Sequence, residues 1–135
     1  MSHPAGLPDL FLDRSLGRIK VPGLLRDFGL RLTTLAEYFG TPADETISDV
    51  QWLEVAGGRQ WVVFMKDARI RYNRPEREAM ERFRVRCFSL SNRNLPAIEM
   101  ANRFIRNLPR IAAASADLGP FVYSVHKDRI ERIGP

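Results

Sequence analysis

The chain has 135 residues, of which 44% are hydrophobic and 27% charged, and its formal net charge is +5. This length and balance predict one globular domain spanning residues 1–135 and exclude a disordered chain. No run approaches the roughly 18 apolar residues of a membrane-spanning helix, and the N-terminus does not have the pattern of a secretory signal. No membrane partner is therefore expected. The single cysteine, Cys87, excludes an internal disulfide, so a reducing cytoplasm is the expected location.

The first part of the chain predicts two strands around a helix. Residues 7–12 form a short apolar run that predicts a strand, and the polar Asp13 follows it directly. Pro22 is typical of the first turn of a helix, and Gly29 of the residue just after a helix. A second strand is predicted over 30–34.

The next part predicts a capped helix. Residues 36–47 are interpreted mostly as a connection. Ser48 and Gln51 have the spacing of a capping box, which predicts a short helix through about Val55. The glycine pair at 57–58 is interpreted as its end.

Residues 61–65 are apolar on both faces, which is typical of a central strand in a parallel sheet, and Asp67 follows two residues later. Helical spacing over 96–107 places Ile98 on the buried side of a helix and Asn107 on its polar side. The predicted elements of the second half are a helix beginning at Pro75, a strand at 86–90, a helix at 96–107, a strand at 121–125 and an antiparallel partner at 129–133.

Alternating strands and helices predict an α/β fold, a three-layer sandwich with a mostly parallel central sheet. Ligands bind such sheets at the carboxyl ends of the strands. Asp13 and Asp67 fall at that edge, and Asp49 lies in the first turn of a helix that begins there. Three converging carboxylates favour a hard divalent cation, Mg²⁺ or Mn²⁺. Taken singly, Asp13 is better explained as a turn residue and Asp49 as a partner of the helix dipole, and Asp67 is also explained as a surface turn.

Positive charge is concentrated between Lys66 and Arg86, where eight Lys or Arg face four acids. Such a patch suits contact with phosphates, although a solvated basic face explains it equally well. Trp52 and Trp61 are interpreted as core residues rather than base-stacking platforms.

Four segments together resemble the PIN-domain superfamily, closest to the branch grouped with VapC toxins of bacterial toxin–antitoxin pairs. The segments are Phe11-Leu12-Asp13-Arg14-Ser15-Leu16-Gly17, Leu25-Arg26-Asp27-Phe28-Gly29-Leu30, Asp49-Val50-Gln51-Trp52-Leu53 and Val62-Val63-Phe64-Met65-Lys66-Asp67.

The resemblance implies a Mg²⁺- or Mn²⁺-dependent ribonuclease that acts on RNA and is silenced by a cognate antitoxin protein. It implies Asp13, Asp49 and Asp67 as catalytic residues and metal ligands, and it leaves a homodimer open. The basic residues that flank these acids are interpreted as phosphate contacts; they are Arg14, Lys66, Arg69 and Arg71.

The sequence departs from the family pattern in two places. Many relatives have Glu at the middle acidic position, so Glu45 or Glu54 competes with Asp49. A fourth Asp or Asn commonly follows the third acid, and here the nearest candidate is Asn73. The missing acid motivates an alternative, a catalytically degenerate PIN-like module that binds nucleic acid or protein. An aspartate-based phosphotransferase is disfavoured because Ser15 stands where a second acid is needed.

Overall fold

Six strands form one sheet at the centre of the molecule. The computed structural model describes residues 2–135. The strands are β1 (Leu10–Leu12), β2 (Leu32–Thr34), β3 (Val62–Met65), β4 (Arg86–Leu90), β5 (Phe121–Val125) and β6 (Ile130–Gly134). Their order across the sheet is β2-β1-β3-β4-β5-β6, and every pair is parallel except β5 with β6. The predicted mostly parallel sheet and its antiparallel last strand are confirmed.

Helices cover both faces of the sheet, as predicted for a three-layer sandwich. They are α1 (Lys20–Phe28), α2 (Leu35–Phe39), α3 (Asp49–Gly58), α4 (Arg74–Phe83), α5 (Ala97–Arg106) and α6 (Leu108–Ala114). Residues from α1, α5 and α6 join one core cluster, and residues from α2, α3 and α4 join the other. Within residues 2–135, no helix is both long and apolar enough to cross a membrane.

Alternation along each strand divides the core into these two clusters. In β1, Leu10 and Leu12 face the α1–α5 side, whereas Phe11 faces the α3–α4 side. In β3, Phe64 and Val63 divide in the same way. Every residue of β1 and β3 is fully buried because both faces of these central strands are covered.

One short helix was missed, and another is longer than predicted. Residues 36–47 contain most of α2, which a capping box begins: Glu37 donates its amide to the Thr34 hydroxyl and its carboxylate accepts from the Thr34 amide. The predicted capping box of Ser48 and Gln51 is present, and α3 ends at the glycine pair as predicted, although it runs to Gly58 and not only to about Val55.

In the helix over 96–107, Ala101 and Leu108 are buried as the spacing predicts, but two other positions differ from the prediction. Met100 and Phe104 are buried, whereas Ile98 is 60% exposed. Asn107, which the spacing placed on the polar side, is fully buried. Its side-chain amide donates to the carbonyl oxygens of Arg103 (2.8 Å) and His126 (2.9 Å). These two bonds satisfy the buried Asn107 amide at the junction of α5 and α6. The sequence did not predict this buried polar contact.

Gly57 lies inside α3 because α4 passes directly over it. A Cβ atom at this position would lie 2.4 Å from the carbonyl oxygen of Phe83, closer than side-chain carbons approach backbone oxygens. Nothing lies within 4 Å of a Cβ built on the adjacent Gly58.

We therefore expect opposite effects from two neighbouring substitutions. Gly57→Ala should lower the free energy of unfolding by about 2 kcal/mol, because α3 and α4 must separate to admit the methyl group. Gly58→Ala should raise it by up to about 1 kcal/mol through helix propensity and a less flexible unfolded chain. Urea unfolding of the two variants tests this. Equal effects would show that the close packing of α3 on α4 is not what requires Gly57.

Candidate active site

Three carboxylates line one cavity at the edge of the sheet where the parallel strands end. Asp13 directly follows β1, Asp67 lies two residues after β3, and Asp49 is the first residue of α3. The cavity has a volume of about 320 Å³. Its lining residues are Asp13, Arg14, Ser15, Asp49, Asp67, Arg69, Ile70 and Asn73.

Asp13 is the most buried of the three acids, with 8% of its surface exposed. The Ser15 amide donates to its Oδ1 (3.1 Å), and the Ser15 hydroxyl donates to the same oxygen. The Ser15 hydroxyl oxygen also accepts from the backbone amide of Lys66 (3.0 Å), so it links the end of β1 to the end of β3. Ser15 was not among the predicted site residues. The Asp-x-Ser spacing, which allows a side chain to cap the next turn, was the available signal.

Burial raises the pKa of Asp13 from 3.8 to about 7. Desolvation is the largest cause, because the ionised carboxylate loses water that the protein does not fully replace. The hydrogen bonds from Ser15 and the charge of Arg14 act in the opposite direction, and the negative charge of Asp49 raises the pKa further. The loss of hydration therefore outweighs both the hydrogen bonds from Ser15 and the charge of Arg14.

Asp49 is held by the helix that it begins. Its Oδ1 accepts from the indole nitrogen of Trp52, one turn later, at 2.8 Å. Trp52 is fully buried and stacks on Phe11, so the prediction that it belongs to the core is correct, and its one polar atom orients an acid of the cavity. Trp61 is half-buried and also stacks on Phe11.

Asp67 is paired with an arginine from its own loop. It caps a short 3₁₀ turn, Ala68–Arg71, and accepts from the Arg69 amide at 3.1 Å. The Arg69 side chain bends back onto the same carboxylate, with Nε 2.9 Å from Oδ1 and Nη2 2.5 Å from Oδ2. Hydrogen bonding from Arg69 is the main reason that the pKa of Asp67 lies below its ordinary value.

The four predicted phosphate contacts differ in where they lie. Arg14 and Arg69 line the cavity, whereas Lys66 and Arg71 are not among its lining residues. Arg14 also donates to the carbonyl oxygen of Ile47, just before α3. Arg71 donates to the carbonyl oxygen of Ala68 at 3.0 Å.

The two alternatives to Asp49 are placed elsewhere. Glu45 belongs to a 3₁₀ turn and lines a neighbouring cavity, where Arg18 binds it at 3.3 Å. Glu54 is exposed on α3 and does not line the cavity of the three aspartates. Asn73 does line it, and its side chain makes no capping hydrogen bond at the start of α4.

The donor set fits a hard divalent cation in chemistry. Carboxylate and amide oxygens are the ligands that Mg²⁺ and Mn²⁺ prefer, and a bound cation would favour the ionised form of buried Asp13. The side chains are not yet arranged as a complete metal site, however. Within residues 2–135, no three His, Cys, Asp or Glu side chains lie close enough together to hold one metal ion. Both oxygens of Asp67 already accept hydrogen bonds from Arg69.

Comparison with known proteins agrees with this fold. The family described as "PIN like domain" matches residues 8–92, a span that contains all three aspartates. The chain therefore belongs to the PIN-like domain family, which confirms the resemblance seen in the sequence.

A named relative extends the similarity beyond the family match. "Putative ribonuclease VapC45" of Mycobacterium tuberculosis (strain ATCC 25618 / H37Rv) is 40% identical to this chain over 129 residues. The alignment covers 96% of this chain and 94% of that protein. No solved structure matches the chain significantly.

The pKa of Asp13 predicts a pH-dependent effect of Asp13→Asn in EDTA. A carboxyl whose pKa is higher in the folded state stabilises the fold most below its unfolded pKa of 3.8, and this stability is lost as the pH rises through about 7. Asn keeps an acceptor oxygen for Ser15 but cannot ionise. Relative to wild type, the variant should thus gain about 2–4 kcal/mol between pH 4 and pH 8.

Urea unfolding at several pH values measures this difference, because groups that do not interact with Asp13 titrate alike in both proteins. A constant difference between variant and wild type from pH 4 to pH 8 would show that Asp13 ionises normally in the fold.

Proposed function

We propose that this protein is a Mg²⁺- or Mn²⁺-dependent endoribonuclease, the toxin of a toxin–antitoxin pair. The observation that carries the proposal is the convergence of Asp13, Asp49 and Asp67 on one cavity at the carboxyl edge of a PIN-like sheet. The relative of similar length that is named a ribonuclease supports the choice of RNA as substrate.

The three aspartates would hold the ion, with Asn73 as a fourth oxygen donor. When bound, such an ion lowers the pKa of a water molecule and neutralises charge that develops on a phosphodiester. Ser15 keeps one oxygen of Asp13 in a fixed orientation, and the Trp52 indole does the same for Asp49. These bonds fix the acids before substrate arrives, which reduces the reorganisation needed during the reaction.

The basic side chains would hold the RNA backbone. Arg14 and Arg69 border the cavity, so they are placed to contact the phosphate that is cut. Lys66 and Arg71 lie on the same loop, outside the cavity, and would contact neighbouring phosphates. Such contacts position the strand without reading its sequence.

Cleavage of RNA by purified protein, with and without Mn²⁺, tests this function. We expect Asp13→Asn and Asp67→Asn each to lower the cleavage rate at least about a hundredfold, because a metal site contributes several kcal/mol to transition-state stabilisation. Glu54→Gln is the matched control: it removes an exposed acid of α3 that does not line the cavity, and it should cleave like wild type. Equal activity of wild type and Asp13→Asn would overturn the proposal.

A second candidate function is an RNA-binding or protein-binding module without catalysis. It is favoured by the open donor set and by the pairing of Asp67 with Arg69. Calorimetry separates the two functions: no Mn²⁺ binding at millimolar concentration, together with salt-sensitive RNA binding, would favour the module.

We further propose a cognate antitoxin as partner, cytoplasmic location, and a homodimer as the state to test. Expression in bacteria should arrest growth, and Asp13→Asn should relieve the arrest. A small reading frame beside the gene whose product co-purifies with this protein and blocks RNA cleavage would support the pair. Co-expression that yields only free monomer would count against both the partner and the dimer.

A further inference from the structure

The Arg69–Asp67 pair lies where a metal ion needs Asp67. Nε of Arg69 lies 2.9 Å from Oδ1 and 3.1 Å from Oδ2, and Nη2 lies 2.5 Å from Oδ2. Each carboxylate oxygen therefore already accepts from a cation. A divalent ion at this carboxylate would meet both the occupied oxygens and the repulsion of the guanidinium.

The local backbone brings these two residues together. Asp67 caps the 3₁₀ turn, and the Arg69 amide donates to its Oδ1 at 3.1 Å, so the arginine side chain starts beside the carboxylate. Ile70, the next residue, is buried and anchors the turn in the α3–α4 core cluster. The backbone of this turn thus holds Arg69 next to Asp67, and the arginine does not come from a distant loop.

The pair is nevertheless open to exchange. The Arg69 side chain is 68% exposed and that of Asp67 is 30% exposed. Ion pairs this exposed are weak because water and salt screen them. A guanidinium binds a phosphate with the same two-oxygen geometry that it uses for a carboxylate, so an RNA phosphate is a direct competitor for Arg69.

We propose that Arg69 is an internal counter-ion of Asp67, and that a phosphate of RNA draws it away when the metal ion enters. The inference rests on the proposed metal-dependent function. Without RNA, Arg69 neutralises Asp67 and weakens metal binding. With Arg69 on a phosphate, Asp67 is left for the metal ion, so RNA and metal each increase the affinity of the site for the other.

Mn²⁺ titration calorimetry of the protein without RNA tests the first half. Arg69→Gln removes both the charge and the contact, and should bind Mn²⁺ about tenfold more tightly than wild type. Arg69→Lys keeps the charge without the two-oxygen contact and should fall between them. Arg93→Gln is the matched control, because the charge of Arg93 lowers the pKa of Asp67 but no hydrogen bond between their side chains is present in residues 2–135. It should change the affinity less than about threefold.

RNA binding in EDTA, where no metal can support cleavage, tests the second half. Asp67→Asn releases Arg69 and should bind a short single-stranded RNA more tightly than Asp49→Asn, which removes the same charge from the cavity but frees no arginine. The double variant Asp67→Asn, Arg69→Gln should lose that gain. Fluorescence anisotropy with a labelled oligonucleotide measures all three.

The possible failures are distinguishable. Equal Mn²⁺ affinity of wild type and Arg69→Gln would overturn the counter-ion role and leave the metal-dependent function standing. No Mn²⁺ binding by either protein would overturn both. An effect of Arg93→Gln as large as that of Arg69→Gln would show that net charge, rather than the contact with Asp67, controls metal affinity, and it would also overturn the role of Arg69.

Discussion

The site depends on the burial of one carboxylate between the two central strands. Leu12 of β1 pairs in register with Phe64 of β3, so Asp13 emerges beside the end of β3, where both faces of the sheet are covered. Ser15 completes this junction by bonding to Asp13 and to the Lys66 amide. Burial raises the pKa of Asp13 to about 7, so ionisation at neutral pH costs the fold free energy that the apolar clusters on both sides must offset.

This cost gives a physical reason for the charges around it. A buried carboxylate, with Asp49 raising its pKa further, creates demand for positive charge at this edge. Arg14 meets part of that demand, and Arg69 satisfies Asp67 from within its own loop. Both arginines lie close enough to the acids to offset part of their charge. In the exchange proposed above, the same arrangement would make the site responsive to both a metal ion and a phosphate.

The positions of Asp13 and Asp67 in the site could be predicted from the sequence. Parallel strands end at one edge of the sheet, and each of these acids follows a central strand. Asp49 was predictable because the capping box of Ser48 is a local signal, and local signals survive folding. The contact between Arg69 and Asp67 was not, since spacing of two residues does not say whether a long side chain turns back or reaches into solvent. The buried Asn107 was missed for a similar reason: its partner, the His126 carbonyl, is 19 residues away.

A crystal structure with Mn²⁺ and a short single-stranded RNA tests the central claim most directly, because anomalous scattering locates the ion. We expect a peak about 2.1 Å from carboxylate oxygens of Asp13 and Asp67, with Arg69 turned from Asp67 onto a phosphate. RNA bound in the cavity with no Mn²⁺ at the aspartates, and with Arg69 still bonded to both oxygens of Asp67, would show that these acids are not the metal site.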